Sequence, residues 1–209
     1  MEELELHYRT VRPEDYRALE EIICKTWNYE RFCAPKTAAR LAKLFLASCL
    51  ANQTYTCVAV KGEEPVGVIM GKNEKTHRKS PAKILRQLGA LLGMAIRKEG
   101  RKVLRQFGGY SEINRSLAAE NTHVFGGEVA FFAVRGDQRG NGVGKELFAR
   151  LRGYMQSQNI ADFYLYTDSS CNYGFYNHQG MVPVCEKKCR MEAFGGREMS
   201  FFLYGYCPA

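Results

Sequence analysis

No stretch of this sequence approaches the ~18 consecutive apolar residues that a membrane-spanning helix needs. The opening, MEELELHYRT, is acidic and has neither the basic start nor the apolar run of a secretory leader. These two absences predict a soluble cytoplasmic chain. The eight cysteines include no CxxC pair, which removes the usual zinc and dithiol spacings, and several sit in apolar runs such as FLASCLA as small buried hydrophobes do. Cys185 and Cys189, four apart on an expected strand, make no recognised ligand set, so no metal is expected. Histidine is scarce too: His7, His77 and His123 have no local partner that makes a site, and His178 reads as a surface residue. Internal repeats and low-complexity tracts are absent, and 209 residues suit one domain, spanning 1–209.

Charge is abundant in one place. Eleven basic residues against two acidic ones lie between Lys72 and Arg105, so that segment carries +9 while the remainder is close to neutral. A local positive field recruits anions, and a solvated basic helix face is the plain alternative. Within it, PAKILRQLGALLGMAIRKEG places Ile84, Leu88, Leu91, Leu92 and Ala95 on one stripe, a basic amphipathic helix over about 81–98. Nucleic acid or an anionic membrane surface are the partners such a helix allows, and both stand as alternatives.

The remaining order is strand, two helices, hairpin, the segment 73–122, then strand, helix and closing strands. LELHYRTVR alternates as a strand; Pro13 opens a helix through EDYRALEEIICKTW; KTAARLAKLFLASCL repeats at helical spacing; TYTCVAVKG and PVGVIMGK form a hairpin. GEVAFFAV, DFYLYT, VPVCEKKCRM and EMSFFLYGY read as strands. Between the first two lies AVRGDQRGNGVGKELFARL, whose glycines precede a helix with Val143, Leu147, Leu151, Tyr154 and Met155 on one face.

A strand, a glycine loop and a helix start bring free N–H groups and a positive dipole end to one point, a site for pyrophosphate. The ATPase P-loop fails here, with Arg139 at its first glycine and Glu146 after the lysine. The dinucleotide pattern fails at Lys145. The loop resembles the acetyl-CoA motif [QR]xxGxG[GA] of the GNAT N-acetyltransferases: Arg139, Gly142 and Gly144 fit, and Lys145 departs at the final slot. SSCNYGFYNHQGMV resembles the family's second motif through Asn172, Phe175, Tyr176 and Gly180.

The resemblance implies an α/β (α+β mixed sheet) fold, a single GNAT-like domain whose mostly antiparallel sheet is flanked by helices; segment 73–122 departs from the family's order and reads as a basic helical insertion between strands 3 and 4. It implies transfer of acetyl from acetyl-CoA to an amine acceptor, with Val134, Arg139, Gly140, Asn141, Gly142, Val143, Gly144, Lys145 and Asn172 binding the cofactor. Asn172 is open to a second role as a helix cap. Tyr176 stands where the family places its general acid, or is an aromatic packed on CoA. Glu128 stands where a glutamate base is found, or is a strand-edge or substrate-anchoring group. Trp27, Tyr29 and Phe32 would form an acceptor wall or simply core, and the insertion would border the acceptor side of the cleft. A homodimer would pair the closing strand EMSFFLYGY across subunits.

Overall fold

A computed structural model describes residues 5–191 and 196–207. Seven strands make one sheet in the order β1-β2-β3-β4-β5-β7-β6. They are β1 (Leu6–Arg9), β2 (Tyr55–Lys61), β3 (Glu64–Asn73), β4 (Gly127–Val134), β5 (Phe163–Asp168), β6 (Val182–Met191) and β7 (Arg197–Tyr206). All neighbours are antiparallel except β4 and β5. The expected N-terminal strand is shorter than the alternation suggested, and Leu4 lies outside the described residues. β7 lies between β5 and β6, so the proposed pairing of EMSFFLYGY across subunits is corrected: β1 and β6 are the sheet's edges.

Helices α1 (Tyr16–Thr26) and α2 (Pro35–Ala51) cover one face of β2, β3 and β4. Asp15 ends the turn before α1 and takes both guanidinium nitrogens of Arg9, at 2.7 and 2.8 Å, so the first helix is pinned to the first strand. On the opposite face α5 (Val143–Ser157) buries Val143, Leu147, Leu151 and Met155 against Cys57, Ala59, Ile69 and Val129. The 3.6-residue period thus puts the expected stripe into the core, while Tyr154 stacks at its margin on Tyr55, 4.5 Å between rings.

The insertion between β3 and β4 corrects the single helix expected over 81–98. It is two helices, α3 (Pro81–Ala95) and the 23-residue α4 (Lys98–Glu120), with extended backbone at Arg97 making the corner. α4 is part of the core. Val103, Leu104 and Phe107 pack with α1 and α2, whereas Ile113 and Leu117 pack on Phe201 and Leu203 of β7. Cutting back the fully buried Leu117 to alanine would cost about 2–5 kcal/mol. α3 behaves differently: Leu85, Leu88, Leu91, Leu92 and Ile96 are all exposed. The apolar stripe of the amphipathic helix is therefore largely outside.

A β-bulge in β4 decides which way its first residues point. Met70 faces Phe131 and Gly71 faces Val129, leaving Ala130 unpaired. Simple alternation would set Glu128 on the α5 face with Phe132 and Val134; the extra residue moves it to the α1–α2 face with Phe131 and Ala133.

Candidate active site

β4 and β5 run parallel but pair at only two positions, Gly127 with Phe163 and Glu128 with Tyr164. Beyond them the strands splay, and a cleft of about 430 Å³ opens between residues 129–134 of β4 and 165–167 of β5. Splaying leaves main-chain groups unpaired on the inner edge of β4. The Arg135 N–H bonds the Val66 carbonyl of β3, so alternation turns the N–H and C=O of Val134 toward the cleft. Arg139 Nε donates to that Val134 carbonyl at 3.3 Å, tying the glycine loop to the end of the strand.

The loop's shape follows from its glycines. Gly140 and Gly142 have φ of 83° and 78°, in the left-handed region that β-carbons disfavour. Gly142 is the N-cap of α5 and no side chain caps the helix, so the N–H groups of its first turn remain available to a ligand. A β-carbon on Gly144 would come within 3.3 Å of the Phe132 ring and 3.5 Å of Phe175, so a larger residue here would have to push the Phe132 ring aside by a few tenths of an ångström. Of the expected cofactor residues, Val134, Arg139, Gly140, Gly142, Gly144, Lys145 and Asn172 line the cleft. Two do not. Asn141 is exposed outside the lining, and the Val143 side chain is buried against α5's other core residues, which leaves only main-chain roles for Val143.

Across the cleft, α6 (Gly174–His178) presents Tyr176. Its ring packs near Phe132, Phe175 and Tyr204, with centroids 6.3, 5.6 and 6.1 Å away. Burial, then the charges of Cys171 and Asp168, push the phenol well above its ordinary value, so it keeps its proton at neutral pH. The α6 N-cap is Tyr173 and no side chain caps that helix, which removes capping as the reason for Asn172. Burial, then Asp168, also raises the Cys171 thiol, as an inert cysteine requires.

Glu128 is not on the cleft wall. It lies in a largely buried group at the closed end of the two strands, accepting from Asn52 Nδ2 at 3.3 Å and Lys72 Nζ at 3.4 Å. Lys72 also meets Glu74 at 2.8 Å, and the Tyr164 hydroxyl donates to Glu74 at 3.1 Å. Burial raises the Glu128 carboxyl; Lys72 and Asn52 offset this in part, and Glu74 adds to it. Tyr166 lines the cleft and feels the same charges, its hydroxyl pushed up to about 12 by burial and then by Glu128 and Glu74. Lys72, Glu128 and Tyr164 occupy one row across three strands. Sequence reasoning missed this row, counting Lys72 only as charge, because the register joins residues separated by the whole insertion.

The far wall is aromatic. Trp27, Phe45 and Phe131 line it with centroid separations of 5.3 to 6.0 Å. Of the three aromatics expected there, only Trp27 reaches the cleft: Tyr29 is buried core and Phe32 packs edge-on against Phe107 of α4. Among the described residues, no side chain of α3 or α4 lines the cleft; α4 packs behind this wall, where Phe107 meets Tyr29 and Phe32 edge-on. Two histidines gain distant partners: His123 Nε2 meets Asp162 Oδ2 at 2.5 Å, 39 residues away, tying together the starts of β4 and β5, and His77 Nε2 meets the Ala51 carbonyl at 3.0 Å. His178 is exposed, as expected. No group of three or more metal-ligating side chains occurs among the described residues, and the cysteines there are free.

The profile of the Acetyltransferase (GNAT) family matches residues 16–181. The chain belongs to this family. No curated protein matched its sequence. Its GNAT fold is shared by solved structures of low identity. PH1933 from Pyrococcus horikoshii is 13% identical with a TM-score of 0.62, over 98% of this chain and 99% of that one. The ribosomal-protein-S18-alanine N-acetyltransferase from Escherichia coli is 11% identical with a TM-score of 0.55, over 98% and 96%. PaiA N-acetyltransferase from Thermoplasma acidophilum, solved with coenzyme A, is 13% identical with a TM-score of 0.52, over 98% and 99%. No described helix of this GNAT chain is long and apolar enough to cross a membrane.

Proposed function

We propose that this GNAT chain transfers acetyl from acetyl-CoA to a primary amine, by direct attack within a ternary complex in the β4–β5 cleft. The observation that carries this reading is one junction. The unpaired Val134 end of β4, the two left-handed glycines and the uncapped start of α5 all present main-chain groups to the same side of the cleft. A pyrophosphate suits the N–H groups of the helix start, with Arg139 and Lys145 as nearby cations. The pantetheine arm would run along β4 and Asn172, and the Val134 N–H would donate to the thioester oxygen as it gains charge; a preorganised donor of that kind contributes about 3 kcal/mol.

The acceptor, a small molecule or a peptide, would enter on the Trp27–Phe45–Phe131 side. An alkylamine is mostly protonated at neutral pH and must lose a proton to attack. Glu128 is the candidate base. Its carboxyl is raised toward the working pH, and it would act through water or Tyr166 because it does not itself line the cleft. Attack forms the C–N bond, the C–S bond breaks, and the departing thiolate takes the proton of Tyr176.

The test is release of free CoA thiol from acetyl-CoA against amines, antibiotics, polyamines, amino acids and peptides, for the wild type and Tyr176→Phe. Turnover with one acceptor that collapses in Tyr176→Phe while acetyl-CoA still binds supports the reading. A protein that neither binds acetyl-CoA nor turns it over sinks it. Tight binding without turnover supports an acetyl-CoA sensor instead.

A further inference from the structure

α3 is mounted with its polar side inward. Lys83, Arg86 and Gln87 lie over α2 and its surroundings: Gln87 Nε2 donates to Ser48 Oγ at 3.2 Å, and the Arg86 guanidinium sits 3.9 Å above the Tyr16 ring. Met94 alone on this helix is buried. On the outer side Leu85, Leu92 and Ile96 are 72%, 61% and 76% exposed, with Leu88 and Leu91 beside them. At ~100° per residue Leu85, Leu88, Leu92 and Ile96 fall within an arc of about 80°, a continuous stripe along a helix roughly 22 Å long. A contiguous apolar patch on a soluble surface marks an interaction site.

What surrounds the stripe selects its occupant. Lys75, Arg78 and Lys79 lie exposed before the helix, and Arg97, Lys98, Arg101 and Lys102 lie exposed after it. The acids nearby are engaged: Glu74 with Lys72, and Glu99 with the Ala34 N–H and the Thr37 hydroxyl. A second copy docked on this stripe would bring two clusters of like charge together, which opposes self-association. An apolar stripe with cations at both ends matches a helix lying in the headgroup region of an anionic bilayer, where leucines enter the acyl boundary and lysines and arginines meet lipid phosphates.

We propose that α3 docks the protein on anionic membrane surfaces. The helix lies along the surface and does not cross it. The experiment is flotation of the full chain with vesicles of pure phosphatidylcholine and with vesicles containing about one quarter phosphatidylglycerol. Two variants accompany it, Leu85→Glu/Leu92→Glu/Ile96→Glu and Arg97→Gln/Lys98→Gln/Lys102→Gln, the second sparing Arg101 because its guanidinium holds the Ala95 and Ile96 carbonyls at the end of α3. Every side chain changed is solvent-exposed, so each variant is expected to keep the wild-type melting temperature and affinity for acetyl-CoA. The wild type is expected to bind the anionic vesicles at least tenfold more tightly than neutral ones, each variant to lose about tenfold or more, and binding to weaken as salt shrinks the Debye length from ~10 to ~3 Å. Equal binding to neutral and anionic vesicles overturns the proposal, as does no binding to either. A concentration-dependent dimer in sedimentation that the leucine variant dissolves overturns it in favour of a second copy; an acidic protein partner captured in place of vesicles overturns it likewise.

Discussion

At its Glu128 end β4 is hydrogen-bonded to strands on both sides, while at its Val134 end it is bonded to β3 alone. The closed end gathers charged side chains, Lys72, Glu74 and Glu128, in a largely buried group. The open end gathers main-chain groups and glycines. One strand thereby presents two kinds of group: a titratable carboxylate in a largely buried pocket, and fixed dipoles where lost pairing turns N–H and C=O groups into the cleft. The two ends should fail in different ways, and several variants separate them.

The largest effect is expected where protons move. Tyr176→Phe and Glu128→Gln should each lower kcat by roughly 10²- to 10⁴-fold with acetyl-CoA affinity retained. Their pH profiles should part. The raised Glu128 carboxyl must be ionised to accept a proton, so wild-type kcat falls as pH drops through its pKa; Glu128→Gln flattens that acid limb and Tyr176→Phe leaves it in place. An acid limb that survives in Glu128→Gln would break the contrast and remove Glu128 as the base. Next in size is Gly142→Val at the open end. Forcing a β-branched residue to φ 78° costs about 1–3 kcal/mol, so acetyl-CoA affinity measured by calorimetry should fall roughly 10- to 100-fold, with the acid limb unmoved. The smallest change is Lys72→Met. Removing the cation that holds Glu128 down should move the acid limb to higher pH, with little effect on acetyl-CoA affinity.

A second contrast lies inside the insertion and shows how far composition reads. One basic helix over 81–98 was legible within the insertion, but nothing in the residues said that a second, α4, would run on to Glu120 and bury Leu117 while α3 turned its leucines outward. Amphipathic period locates an apolar stripe; which body the stripe meets depends on elements far away, here α2 beneath α3 and β7 beneath α4. His123 and Asp162 teach the same point, since their pairing follows from two strand starts lying side by side.

Short-range patterns were enough to locate the strands and the glycine loop with its helix, because turn chemistry and helical period act over a few residues, while Tyr176 was singled out through the family resemblance. The bulge at Ala130, the splay of β4 from β5 and the row Lys72–Glu128–Tyr164 were decided only by the tertiary structure. Each depends on strand register, and register is set by the packing of faces brought together across tens of residues of intervening chain.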